Sequence, residues 1–145
     1  MPAAPTTPPS PSAAPPRILL IDDEAPVLHT LQLLLEESGY AVTVARNGKD
    51  GVAAYRTERP DLVLTDIIMP DQEGIETIMQ IRRDCPDARI IAMSGGGRIG
   101  NSDFLAIASA LGANATIAKP FEVDDLLILV ERTLAGPPAA ESAAA

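Results

Sequence analysis

The chain is poor in residue types that several kinds of site require. Its 145 residues include one cysteine, Cys85, and one histidine, His29. A single cysteine cannot form an internal disulfide, which fits a reducing cytoplasm. A reactive thiol at Cys85 would need a base beside it, and the neighbouring sequence offers none, so we expect a packed or half-exposed cysteine. A single histidine excludes any site that needs two, and we expect His29 to lie on the outer face of a helix.

Positive charge and long apolar runs are also scarce. Eleven Lys and Arg residues face 20 Asp and Glu residues, a formal net charge of −9 at pH 7. This balance argues against nucleic-acid binding, which needs a basic face to neutralise phosphates. No apolar run approaches the length of a membrane span, and the N-terminus lacks the basic and apolar regions of a secretory signal. The sequence therefore predicts a soluble cytoplasmic protein that binds neither nucleic acid nor a membrane.

The two ends of the chain differ in composition from its middle. Residues 1–16 contain seven of the 14 prolines and no charged side chain, and residues 136–145 are mostly alanine and proline. Neither end has the apolar density to offset its ordering entropy, so we expect two disordered tails around one domain over residues 17–135. The sequence ends ten residues after the last predicted helix, which leads us to expect a stand-alone domain without an attached output domain.

Within 17–135, short apolar runs alternate five times with helical patterns. The runs, which predict strands, are 17–21, 41–45, 61–65, 88–93 and 115–118, and the last helix is predicted over about 122–134. Repeated strand–helix units form a parallel sheet with helices on both faces, joined by right-handed crossovers. We therefore predict an α/β, doubly wound, five-stranded parallel sheet. In such folds ligands bind at the carboxyl ends of the strands.

Polar residues stand at four of these strand ends. Asp22 and Asp23 follow the first strand, Asp66 the third, Ser94 the fourth and Lys119 the fifth. Each has an ordinary explanation when taken alone: Asp23 could cap the next helix, Asp66 could belong to a turn, and Lys119 could be a solvated surface charge. Together they would place three carboxylates and one ammonium group at one edge of the sheet.

This combination points to metal-assisted phosphoryl transfer. Neighbouring carboxylates repel one another unless a cation joins them, and hard oxygen ligands favour Mg²⁺ over zinc or copper. A carboxylate can act as a nucleophile that accepts a phosphoryl group. A metal ion and a lysine can then neutralise the phosphoryl oxygens, so that the protein mainly positions the groups. The residues alone thus suggest a magnesium-assisted phosphoryl acceptor.

Four sequence blocks carry a family resemblance. They are ILLIDDE (18–24), LVLTDIIMPDQEG (62–74), IIAMSG (90–95) and AKPF (118–121). In this order and spacing, the chain resembles the receiver domains of bacterial two-component response regulators over the whole of 17–135. The resemblance implies the flavodoxin-like fold of receivers, with strand order 2-1-3-4-5.

The resemblance also implies a role for each strand-end residue. Asp66 would be the phosphoacceptor, and Mg²⁺ would be bound by Asp23, Asp66 and the backbone carbonyl of Ile68. Asp22 would support the metal directly or through water. Ser94 would donate a hydrogen bond to a phosphoryl oxygen, and Lys119 would pair with the phosphoryl group.

One position departs from the common receiver pattern. Many receivers have Tyr or Phe three residues before the conserved lysine, whereas this chain has Thr116. The usual serine-to-aromatic relay is therefore in doubt, and signalling would rest on the loop after the fourth strand.

The implied partners are a histidine kinase or histidine phosphotransfer protein, and a downstream protein target bound through the last two helices. Ile128 and Leu129 lie off the core stripe of the last helix, so they suggest an exposed apolar patch and a phosphorylation-dependent homodimer.

Alternative functions remain open at this point. The protein could be a phosphate sink or phosphorelay shuttle without its own output. It could also be a Mg²⁺-dependent phosphatase that uses an aspartyl-phosphate, although such enzymes commonly have a second Asp where this chain has Ile68. Gly95, Gly97 and Gly100 match a dinucleotide-binding pattern, but the match follows the wrong strand of the fold, so we expect no nucleotide binding. We expect a phosphoacceptor that is not an enzyme beyond its own phosphorylation and dephosphorylation.

Overall fold

The computed structural model describes residues 15–67, 73–94, 106, 110, 112–119 and 121–136. The described residues form five strands, which are β1 (Arg17–Ile21), β2 (Ala41–Ala45), β3 (Leu62–Asp66), β4 (Ile90–Ser94) and β5 (Ala115–Ala118). They also form four helices, which are α1 (Ala25–Glu37), α2 (Gly48–Glu58), α3 (Glu73–Asp84) and α4 (Val123–Ala135). The helix predicted between β4 and β5 lies outside the described residues apart from positions 106 and 110. No helix in the described part of the chain has the length and apolar character needed to cross a membrane.

The strands form one parallel sheet in the order β2-β1-β3-β4-β5, which confirms the predicted order. β1 pairs with β2 on one side and with β3 on the other. The chain therefore moves outward from β1 to β2 and then returns past β1 to β3. The carboxyl ends of β1 and β3 flank this change of direction, which is the place where doubly wound sheets bind their ligands.

The central strands are apolar because helices cover both of their faces. Leu19 and Ile21 of β1 are fully buried on the face that packs against α2 and α3. Ile18 and Leu20 alternate with them and are fully buried on the opposite face, together with side chains of α1 and α4. A strand in this position shows no polar alternation, which is why its sequence is a continuous apolar run.

The starts of α1 and α2 differ in how they are capped. In α2 the side chain of Asn47 accepts a hydrogen bond from the backbone N–H of Asp50 at 2.8 Å. In α1 the N-cap residue is Glu24, and no side chain caps it. The interpretation of Asp23 as a helix cap is therefore wrong. Gly39, with φ +100°, follows the end of α1, where glycine adopts the left-handed region without steric cost.

Three surface predictions can be compared with the structure. His29 is exposed on α1, and Cys85 is half-buried after α3, both as expected. Ile128 on α4 is 47% exposed. Leu129, by contrast, packs against the core cluster on the α1 and α4 face of the sheet. The predicted apolar patch therefore retains Ile128 but not Leu129, because Leu129 is rotated by about 100° around the helix axis from Ile128 and lies closer to the core.

Candidate functional site

Three carboxylates meet at the carboxyl end of the sheet. Asp22 and Asp23 directly follow β1, and Asp66 is the last residue of β3. Because Ile21 stands opposite Thr65 in the β1–β3 register, the next residues of the two strands lie side by side. Asp22, Asp23 and Asp66 each offer an oxygen within 4.8 Å of those of the other two. The parallel register thus brings together residues that are more than 40 positions apart in the sequence.

Burial differs among the three. Asp22 is fully buried and Asp66 is 4% exposed, whereas Asp23 is half-buried. Asp23 therefore faces the solvent side of the cluster, where an incoming group would arrive.

Asp22 is held by two donors of the protein itself. Its Oδ1 accepts a hydrogen bond from the backbone N–H of Glu24 at 3.0 Å. Its Oδ2 accepts one from Nζ of Lys119 at 2.9 Å. A buried carboxylate needs such partners, since burial of an unpaired charge is costly. Both Asp22 oxygens are thus engaged, and the orientation of the carboxylate is fixed.

Lys119 reaches across the site from the end of β5. Its Nζ lies 2.9 Å from Asp22 Oδ2 and 3.8 Å from Asp66 Oδ2. Burial of the ammonium group lowers the pKa of Lys119, but the hydrogen bond to Asp22 and the charges of Asp66, Asp22 and Glu24 raise it by more. The pKa of Lys119 therefore lies above its usual value, and the group is cationic at neutral pH.

The charges of the cluster do not balance. Three carboxylates and one ammonium group leave an excess of two negative charges if all are ionised. The ligand atoms that the three aspartates offer are carboxylate oxygens, which Mg²⁺ prefers. The cluster of Asp22, Asp23 and Asp66 could therefore hold a magnesium ion.

Gly74 explains how α3 comes so close to this cluster. A Cβ atom at Gly74 would lie 2.3 Å from the backbone oxygen of Asp66 and 2.4 Å from Cα of Ile67. Only glycine permits this approach of the first turn of α3 to the end of β3. Gly74 is the last residue of the LVLTDIIMPDQEG block, but no local pattern reveals how closely its backbone would approach the strand that carries Asp66.

The structure brings together Asp22, Asp23, Asp66 and Lys119, as the sequence predicts. Ser94 ends β4 with its backbone opposite Ala118. The Ser94 hydroxyl and the backbone carbonyl of Ile68 lie outside the described part of the chain.

Sequence reasoning missed one contributor to the site, Glu24. Its backbone N–H holds Asp22, and its charge helps to raise the pKa of Lys119. The signal was present as the last residue of the ILLIDDE block.

Comparisons with known proteins point the same way. The sequence model of the response regulator receiver domain family matches residues 18–131. Protein PilH of Pseudomonas aeruginosa is 34% identical over 120 residues, which is 83% of this chain and 98% of PilH. Chemotaxis protein CheY of Bacillus subtilis is 35% identical over 119 residues, covering 81% of this chain and 97% of CheY. A solved receiver domain protein from Clostridium thermocellum superimposes with a TM-score of 0.76 at 29% identity, covering 82% of this chain and 94% of that one.

The family match covers most of the chain, and the strand order and acidic cluster agree with it. The chain belongs to the response regulator receiver domain family and is a phosphoacceptor domain of two-component signalling.

Proposed function

We propose that Asp66 is the phosphoacceptor, that its phosphorylation depends on Mg²⁺, and that the phosphorylated domain signals by binding another protein. One observation carries the proposal: the Asp66 carboxylate lies within 4.8 Å of the Asp22 and Asp23 oxygens and 3.8 Å from the Lys119 ammonium group. This is the arrangement that a carboxylate needs to receive a phosphoryl group whose negative charge is shared with cations.

In the proposed reaction, an Asp66 carboxylate oxygen forms a bond to the phosphorus of a phosphohistidine. The phosphorus–nitrogen bond breaks, and the imidazole leaves with its electron pair and takes up a proton. Asp66 then carries an acyl phosphate. Lys119 pairs with a phosphoryl oxygen, and Ser94 donates a hydrogen bond to another.

Asp23, Asp66 and the backbone carbonyl of Ile68 would hold the Mg²⁺ ion, which supplies neutralising charge for the phosphoryl oxygens. Asp22 has a different task in this scheme. Because its two oxygens are engaged by Glu24 and Lys119, it orients the lysine and supports the metal from behind.

The test is to incubate the protein with Mg²⁺ and a small phosphodonor such as acetyl phosphate, and to measure its intact mass. We expect a single-phosphoryl adduct that is absent after Asp66→Asn and after chelation of Mg²⁺. Asp61→Asn is the matched control, since Asp61 precedes the same strand at its opposite end. An adduct that persists in Asp66→Asn would contradict the proposed acceptor, and its persistence without divalent metal would contradict the metal dependence.

We further propose that the phosphoryl group comes from a histidine kinase or histidine phosphotransfer protein, and that the last two helices bind the downstream target. Val123 and Ile128 of α4 are large apolar side chains that are 39% and 47% exposed, which supports a docking role for this helix. Phosphotransfer profiling against histidine kinases of the host would identify the donor. Light scattering before and after phosphorylation would show whether a homodimer forms, with Ile128→Glu as the control. This measurement would separate homodimer formation from target binding.

The proposed domain extends over 17–135, with residues 1–16 and 136–145 as tails. The matches to PilH and CheY span nearly the whole length of those relatives, so receivers of about this size occur without a second domain in those proteins. A pulse-chase in which phosphate returns from Asp66 to the kinase would instead favour a phosphate sink or shuttle. Sustained turnover of phosphomonoesters would contradict the proposal that the protein is not an enzyme.

A further inference from the structure

The amino end of β5 is held by a hydrogen-bond cluster that the proposed chemistry does not use. At its centre is the guanidinium group of Arg82, in the last turn of α3. Its Nη1 donates to the backbone oxygens of Pro86 and Ala88, and its Nη2 donates to the backbone oxygen of Gly112 and to Oδ1 of Asn114. One side chain thus joins the end of α3, the turn before β4 and the segment that leads into β5.

Asn114 extends the pairing of β4 and β5 beyond the last backbone pair. Its N–H donates to the backbone oxygen of Ile90 at 2.7 Å, and its side-chain Oδ1 accepts from the N–H of Ile90 at 2.8 Å. The same Oδ1 accepts from Arg82 at 3.2 Å. Asn114 therefore sets the register in which β5 begins its pairing with β4. Arg82 in turn holds the side chain of Asn114 in place.

This arrangement matters because the register of β5 otherwise depends on its pairing with β4 and on Ala115 and Ile117, which are only partly buried against the core. This strand has four residues, all half-buried, lies at the edge of the sheet, and pairs only with β4 among the described strands. A shift by one residue would move Lys119 by about 3.3 Å and turn its side chain to the other face of the sheet. Lys119 would then lose both Asp22 and Asp66.

Arg82 is half-buried, and its bonds to Ala88, Gly112 and Asn114 are partly shielded from solvent. Burial lowers the pKa of the Arg82 guanidinium, and a Cβ atom at Gly112 would lie 3.0 Å from its Nε. Gly112 has φ +110°, so the backbone turns tightly around the arginine just before β5. The turn at Gly112 is thus held by a side chain that is 30 positions away in the sequence.

We infer that Arg82 and Asn114 form a clamp that positions Lys119 for phosphoryl transfer, at a distance of about 16 Å along β5. Arg82 is in this sense a positioning residue: it touches neither the phosphoryl group nor the metal and acts through the register of β5. The inference deepens the proposed function and rests on it.

The test compares Arg82→Met with Arg83→Met, an exposed arginine next to it on α3. With acetyl phosphate and Mg²⁺, we expect Arg82→Met to slow phosphorylation by about tenfold to a hundredfold, because a small misplacement of a reacting group has effects of this size. Arg83→Met should match the wild type. Mg²⁺ affinity without phosphodonor should not fall, since Asp23 and Asp66 are not on β5 and a displaced Lys119 leaves their cluster more negative. Arg82→Lys, which retains a donor, should recover part of the rate.

A double-mutant cycle with Lys119→Met distinguishes positioning from a general loss of stability. If Arg82 acts through Lys119, then adding Arg82→Met to Lys119→Met should slow phosphorylation less than about twofold further. Full multiplication of the two effects, or a wild-type rate in folded Arg82→Met, would overturn the inference.

A second variant and a second measurement cover the case in which Arg82→Met does not fold. Asn114→Ala removes the shared acceptor and leaves Arg82 in place, and we expect the same slow phosphorylation from it. In either variant, amide hydrogen exchange at Thr116, whose N–H lies on the same side of β5 as that of Asn114 and faces β4, should accelerate by more than about tenfold, without any phosphodonor. Unchanged exchange in a folded variant would refute the clamp by itself. Failure of the wild type to be phosphorylated would refute only the proposed function.

Discussion

The two ends of the sheet differ in the sign of their excess charge. At the carboxyl end, three carboxylates face one lysine. At the amino end, a cleft of about 560 Å³ is lined by three arginines and two acids. Arg17 contacts Glu58 at 3.1 Å and donates its backbone N–H to Asp61 at 2.8 Å, while Arg89 donates to the backbone oxygen of Gly136.

This difference in charge balance distinguishes the end of the sheet that stabilises the fold from the end that carries the proposed site. Charges at the amino end are matched by nearby carboxylates and by carbonyl groups at helix ends, where arginines are favourable. Charges at the carboxyl end are not matched, so the carboxylates of the folded protein repel one another, and a bound metal ion would relieve this repulsion. The predictions below perturb each end and compare the outcomes.

The largest effect should come from Lys119, the single cation among the described groups of the acidic cluster. We expect Lys119→Met to slow phosphorylation of Asp66 by about 100- to 1000-fold, because removal of one preorganised charge partner has effects of this size. The rate of adduct formation, followed by intact mass, measures it. Lys49→Met, on the exposed side of α2, is the control and should react at the wild-type rate. A wild-type rate in Lys119→Met would show that the ammonium group has no part in the transfer.

Gly74→Ala should break the contact between α3 and the end of β3. A Cβ atom would overlap the backbone of Asp66 and Ile67, which cannot move aside cheaply, so we expect a loss of about 3 kcal/mol in the free energy of unfolding. Urea denaturation measures it. Gly51→Ala is the matched control: its nearest contact is the end of the Ile21 side chain, and the cost should be under about 1 kcal/mol. Equal losses in the two variants would contradict a backbone clash at Gly74.

Removal of one carboxylate should raise the stability of the protein at the carboxyl end of the sheet and lower it at the amino end. Asp23→Asn relieves repulsion, so without divalent metal we expect the free energy of unfolding to rise by about 1 kcal/mol. Asp61→Asn weakens the acceptor for Arg17, so the melting temperature should fall. Thermal unfolding in a chelating buffer measures both. At saturating Mg²⁺ the order of wild type and Asp23→Asn should reverse, because the wild type gains the free energy of metal binding. A fall in stability for Asp23→Asn in the chelating buffer would contradict unrelieved repulsion.

The smallest effect concerns alkaline pH. The pKa of Lys119 is raised in the folded state, so its contribution to stability is complete below its ordinary value of 10.5 and is lost as pH rises through the folded value. The difference in stability between wild type and Lys119→Met should therefore be constant from neutral pH to about pH 9.5 and should shrink above pH 10.5. Urea denaturation across this range measures it, and Lys49→Met corrects for the general loss at high pH. A difference that grows with pH would contradict the sign of the shift.

Much of the fold could be predicted because strand and helix patterns are local. The run Leu62–Leu64 shows its burial on both faces by being apolar throughout, and the alternation with helical patterns then requires a parallel sheet. The position of the acidic site followed from the same reasoning, since parallel strands end on one edge. The cap assigned to Asp23 failed because a strand-end acid can serve either a helix or a site, and local sequence does not distinguish the two. Leu129 was misplaced because its burial depends on what α4 packs against.

By itself, the sequence determined the strand order through its family blocks, the alternation of elements, and the set of Asp22, Asp23, Asp66 and Lys119 at strand ends. The tertiary structure alone decided how these groups share their charges. Glu24 and Lys119 engage both oxygens of Asp22, Gly74 admits α3 against Asp66, and Arg82 reaches Gly112 and Asn114 at the start of β5. Such contacts join residues far apart in the chain, and they depend on distances of a few tenths of an ångström, which no local pattern of residue types encodes.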